Sequence, residues 1–95
     1  MTASKEYRSK ARIYFDILSQ IVNEGGRAGP TRILYGANLS HDRLTKHLSQ
    51  LISLGLIVEE NEEDRVFYSL TEKGMAFIQE FRRIQAFAKA FGIPI

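Results

Sequence analysis

The sequence predicts a mainly α-helical domain that carries a small β-hairpin and ends in a long helix. Three observations support this. Residues 40–55, SHDRLTKHLSQLISLG, place apolar residues at helical spacing between a capping serine and a closing glycine. Two short runs rich in β-branched and aromatic residues follow at once, separated by a polar turn. Residues 71–91 then repeat large apolar residues at steps of four and three.

A chain of 95 residues has room for one main core. The natural division is a body over residues 1–70 and a C-terminal helical arm over 71–95. An apolar fraction of 44% with 11% aromatics fits a folded domain rather than a disordered one. Cysteine is absent, which excludes disulfide staples, thiolate metal sites and cysteine nucleophiles. No apolar run approaches the roughly 20 residues that cross a bilayer. The N-terminus MTASKEYRSKAR has no signal-peptide core, so a cytoplasmic location is expected. Residues 1–55 carry eight Lys/Arg against four acids, and residues 56–95 carry five against seven. A basic half of this kind suits a polyanion, although small proteins often show such asymmetry by chance.

Residues 5–12, KEYRSKAR, hold four cations and one acid. They lead into a helix expected from about Lys5 to Asn23, with Ile13, Tyr14, Ile17, Leu18, Ile21 and Val22 on one side. The basic end is either a solvated helix start or a strip for phosphates, through Lys5, Arg8, Lys10 and Arg12. NEGGRAGP, residues 23–30, reads as a loop and lacks the spacing of a phosphate-binding loop. PTRILYGANL, residues 30–39, reads as a short helix capped by Thr31, with Ile33, Leu34 and Ala37 inward. Gly36 is suited to close approach of another helix.

Ser40 is expected to cap the next helix. Leu44, Leu48, Leu51 and Ile52 form its apolar stripe, and Asp42, Arg43, Lys46, Ser49, Gln50 and Ser53 its outer face. A short helix, a tight turn and a capped amphipathic helix make a helix-turn-helix pattern. LIVEE (56–60) and RVFYSL (65–70) then form a hairpin across NEED, which turns the pattern into a winged helix-turn-helix. Thr71 caps the last helix. Phe77, Phe81, Ile84, Ala88 and Phe91 form its heptad seam along about 30 Å, at ~1.5 Å per residue. That seam is expected to pair with a second copy as a dimerisation arm, the alternative being to fold onto the first helix of its own chain.

Four stretches in order carry a family resemblance: RSKARIYFDIL (8–18), PTRILYGANLS (30–40), the LxxLxxLGLI run (48–57) and YSLTEKG (68–74). Together they resemble the archaeal 10a family of small winged-helix DNA-binding proteins, over about residues 8–90. The resemblance implies a winged helix-turn-helix whose C-terminal helices pair as an antiparallel coiled coil in a homodimer. It also implies binding of double-stranded DNA, as a transcriptional regulator or a nucleoid-associated chromatin protein. Pro30, Thr31 and Arg32 match the start of the second helix, where family members meet the backbone. Arg43, Lys46 and Gln50 match the exposed face of the recognition helix. Two features depart from the pattern. The last helix is short and rich in Phe, and the wing EENEED places five acids in six residues.

No catalytic or metal-binding constellation emerges. His41 and His47 lie six apart on one helix and point away from each other. The acidic hairpin lacks the spacing of a calcium loop. No enzyme activity and no cofactor are expected. Two binding roles are. In one, helix 40–55 of each protomer enters the major groove, with Ser40, Arg43, Lys46 and Gln50 at bases or phosphates. Thr31, Arg32, Arg8, Lys10 and Arg12 then lie along the backbone. In the other, the domain is a protein-interaction module, which the acidic wing favours.

Overall fold

The computed structural model describes residues 8–95. Its elements are α1 (Lys10–Asn23), β1 (Arg27–Ala28), α2 (Pro30–Ala37), α3 (His41–Ser53), β2 (Ile57–Glu62), β3 (Arg65–Leu70) and α4 (Glu72–Ala90). The three strands form one antiparallel sheet in the order β1-β3-β2. Four helices and this small sheet make a winged helix, as the sequence predicts.

α1 starts at Lys10 rather than near Lys5, because the Ser9 hydroxyl accepts from the Arg12 amide at 3.0 Å and sets the first turn. Lys5 itself lies outside the described residues. Ile13, Tyr14, Ile17, Leu18 and Ile21 are buried along α1. α2, α4, β1 and β3 all pack against this helix.

The segment read as a loop contains a strand. Arg27 and Ala28 pair with Ser69 and Tyr68 of β3, and Ala28 is buried. Two residues are too few to show a period of two, so the sequence gives no sign of the strand. The cap of α2 also differs from expectation. Pro30 takes the first helical position and Gly29 becomes the cap residue. Proline needs no N–H partner there and its fixed φ suits the helix, so Thr31 falls inside the first turn with its side chain exposed.

α2 ends at Asn38 in the left-handed conformation, and the Leu39 amide bonds back to the Leu34 carbonyl at 3.1 Å. Ser40 then caps α3, accepting from the Arg43 amide at 3.3 Å. Leu44, His47, Leu48 and Leu51 are the buried face of α3, while Ile52 lies at the exposed edge of the stripe. Gly55, at φ 79°, closes the helix as expected.

The wing is longer than predicted. β2 runs to Glu62, and the turn is Glu63-Asp64 alone, both residues at positive φ. That is the two-residue geometry whose twist matches antiparallel strands. The acids of NEED hid the strand extension, because charged residues read as turn.

Thr71 caps α4, accepting from the Gly74 amide at 3.0 Å, and its own hydroxyl donates to the Gly55 carbonyl at 2.7 Å. Phe81 is buried in a stack on Phe15 of α1, with ring centroids 4.6 Å apart, and Phe77 stacks on Phe81. The predicted seam is therefore split. Phe77, Phe81 and Ala88 are covered within the chain, whereas Ile84 and Phe91 are 53% and 68% exposed, as is Phe87, outside the predicted seam, at 68%. Beyond α4 the chain turns back. The Ile93 amide donates to the Ala88 carbonyl, and Arg12 donates to the Ile95 carbonyl, both at 2.9 Å.

α4 approaches the start of β2 so closely that a Cβ at Gly74 would sit 2.2 Å from the Leu56 carbonyl oxygen. Gly74→Ala is expected to destabilise the fold by about 1–3 kcal/mol, since backbone must move to admit the methyl. Urea unfolding measures this. An unchanged midpoint contradicts the close packing of α4 on the wing base.

Candidate nucleic-acid interface

The outward face of α3 is built by the same periodicity that buries its leucines. Asp42, Arg43, Thr45, Lys46, Ser49 and Ser53 are exposed. Among the described residues neither Arg43 nor Lys46 takes part in an ion pair, so both charges face solvent. Asp42 sits in the first turn, where its charge suits the positive end of the helix.

Gln50 behaves differently from its neighbours. It is half-buried, and its Oε1 accepts from the Tyr14 hydroxyl at 2.5 Å. Tyr14 also meets the His47 ring edge-on, with centroids 5.7 Å apart. The two aromatic residues and Gln50 form the polar seam between α1 and α3. Burial pushes the Tyr14 pKa up. Burial pushes the His47 pKa down, the Gln50 side chain opposes this, and Arg43, Lys46 and Lys10 add to the lowering. His47 is thus held neutral beside the cationic face, and its buried Nδ1 has no partner.

The basic residues at the N-terminal end of α1 divide into two kinds. Arg8 donates to Asp16 at 2.7 Å and to the Ala37 and Asn38 carbonyls at 2.9 and 3.0 Å. It satisfies open carbonyls at the C-terminus of α2 and so anchors the turn into α3. Arg12 donates to Asp16 at 3.1 Å and to the C-terminal segment. Both arginines therefore have partners within the chain. Lys10 is exposed and lies beside Ser49, Gln50 and Ser53, on the side of α3.

Thr31 and Arg32 are exposed at the start of α2, where a hollow of about 520 Å³ opens toward Arg27, Arg65 and Phe67 at the base of the wing. Arg32 pairs only loosely with Glu24, at 3.5 Å. Arg27 bonds Glu62 at 2.5 Å and Glu60 at 3.5 Å, and its guanidinium lies 4.1 Å from the Phe67 ring centroid. One edge of the acidic wing is thereby partly answered by the single cation of β1. Sequence reading missed this, because Arg27 and Glu62 are 35 residues apart and meet only through the unforeseen strand. Glu63 and Asp64 remain exposed at the turn. His41 and Asp42 approach at 3.9 Å, fully in solvent. Among the described residues no three His, Asp or Glu side chains gather as a metal site, and no helix is long and apolar enough to cross a membrane.

The fold has counterparts in known proteins. The winged helix-turn-helix family profile matches residues 7–89. The fold superimposes on Sso10a-2, a DNA-binding protein from Sulfolobus solfataricus, with a TM-score of 0.74 and 33% identity over 90% of each chain. A winged-helix DNA-binding protein from STIV matches with a TM-score of 0.72 and 26% identity, over 87% of this chain and 94% of that one. A MarR family protein from Bacillus stearothermophilus shares the fold, with a TM-score of 0.70 and 20% identity over 93% of this chain and 62% of that one. No curated protein sequence matches the chain. With the profile spanning residues 7–89 and a relative 33% identical over 90% of each chain, the chain belongs to the winged helix-turn-helix family, in the 10a group to which its motifs point.

Proposed function

We propose that this protein binds double-stranded DNA as a homodimeric regulator, setting α3 of each protomer in the major groove. The observation that carries the reading is the pair of unpaired cations, Arg43 and Lys46, on the solvent face of a capped helix whose opposite face is buried. That is the arrangement a groove-reading helix requires. Lys10 and Arg32, with Thr31, supply backbone contacts at either side, and Ser40 fixes the approach of α3 through its cap. Gln50 contributes by its tie to Tyr14 more than by reaching a base. Arg8 and Arg12 hold the frame. The DNA-binding description of Sso10a-2 supports the reading. The exposed acids of the wing turn favour a wing that stays clear of phosphates.

The dimer rests on what α4 leaves uncovered. Ile84, Phe87 and Phe91 recur at three and four along its second half, and all are exposed. Burying each of these side chains against a second copy is worth roughly 1.5–3 kcal/mol. Phe77 and Phe81 belong to the monomer core instead, so altering them unfolds the chain rather than splitting a dimer.

Two measurements test these readings. If a dimer neutralises about eight phosphates through Lys10, Arg32, Arg43 and Lys46, log K against log[salt] has a slope near −7. Arg43→Ala/Lys46→Ala is expected to halve that slope in a mobility shift. A flat salt dependence, or an unaltered double variant, removes α3 from the mechanism and leaves the protein-interaction role. Phe87→Glu/Phe91→Glu is expected to remain folded and run as a monomer in light scattering. A wild-type monomer at micromolar concentration refutes the arm.

A further inference from the structure

Between the first turn of α1, the end of α3 and the start of α4 lies an open groove of about 410 Å³. Tyr14, Leu54, Leu56 and Phe77 form its apolar surface, and Lys10 and Lys73 stand at its rim. Tyr14 and Leu56 are buried, Phe77 is half-buried, and Leu54 is exposed. Among the described residues neither lysine has a carboxylate within ion-pair distance. Lys73 donates to the Leu54 carbonyl at 2.7 Å, which leaves two of its ammonium protons for another acceptor. A second hollow, lined by Ser49, Gln50 and Ser53, shares Lys10, Tyr14 and Leu54 with the first and continues it along α3.

Two ammonium groups with no carboxylate partner among the described residues, set beside an apolar floor, complement a narrow class of molecule. A neutral apolar compound leaves both charges unanswered. Inorganic phosphate answers the charges and has nothing to set against Leu54, Leu56 and Phe77. A small anion with a flat apolar body meets both demands, and the rings of Tyr14 and Phe77 favour an arene.

We propose that this groove binds a small aromatic carboxylate, with its ring against Leu54, Leu56 and Phe77 and its carboxylate between Lys10 and Lys73. Occupancy acts on α3 at two points. Tyr14, in the wall, donates to Gln50, and Lys73, at the rim, donates to the carbonyl that ends α3. A carboxylate that draws Lys73 toward itself competes with that carbonyl. The site goes beyond the DNA-binding reading and stands whether or not α3 meets DNA.

The test is a titration of the ¹⁵N-labelled protein with 2-naphthoate and, separately, with neutral 2-naphthylmethanol. The expected result is saturable amide shifts at Ala11, Leu54, Leu56 and Lys73 and in the Gln50 side-chain amide, with the alcohol at least about tenfold weaker. Lys10→Ala/Lys73→Ala is expected to weaken the carboxylate by about tenfold or more while leaving the alcohol unchanged. Equal affinity for acid and alcohol overturns the proposal, as do shifts confined to Ile84, Phe87 and Phe91, or no shifts at all. The comparison of the two ligands on the wild-type protein decides the matter even if the double variant does not fold.

Discussion

The burial of one face of α1 is the constraint on which the rest of the molecule depends. Ile17, Leu18 and Ile21 are sealed from solvent, and both neighbouring helices and the sheet close over them. The same helix carries the polar grips that orient its surroundings. Arg8, just before it, holds the C-terminus of α2, and Tyr14 holds Gln50 on α3. Apolar burial alone lets a helix slide or rotate by small amounts. Hydrogen bonds at two points, one just before α1 and one on it, remove that freedom, so the outward face of α3 is set by contacts on its inward side.

Charge in this protein divides by task. Arg8, Arg12 and Arg27 are engaged with carboxylates and carbonyls of their own chain. Among the described residues Arg43, Lys46 and Lys10 have no carboxylate partner, and Arg32 is tied by an exposed pair to Glu24, of the kind worth about 0–1 kcal/mol. A net charge of +2 therefore understates the cationic face, because the acids are concentrated on the wing and partly answered there by Arg27. The wing is also secured to the body at its base, through β1 and through the contact of Gly74 with Leu56. It braces α3 by extending directly from Gly55.

Local chemistry made most of the fold readable. Ser40 and Thr71 cap where a hydroxyl was expected to, Gly55 closes α3, and the alternation in RVFYSL is β3. What escaped sequence reading depends on distant partners. β1 exists because β3 offers it an edge. Arg8 looks like a surface cation until Asp16 and the end of α2 are brought to it. Gln50 looks outward on a helical wheel until Tyr14 claims its oxygen. The heptad in α4 reports apolar spacing and says nothing of which apolar surface answers it. The first half meets Phe15, and only the second half is left open. Pro30 moved the cap of α2 from Thr31 to Gly29, two residues, the scale on which local signals compete.

The most direct test of the account is a map of which amides respond when short duplex DNA is added to the ¹⁵N-labelled protein at low salt. The account predicts the largest shifts along Asp42–Ser53 and at Thr31 and Arg32, with Glu63 and Asp64 unmoved. Shifts led by the wing turn, or confined to the second half of α4, contradict it.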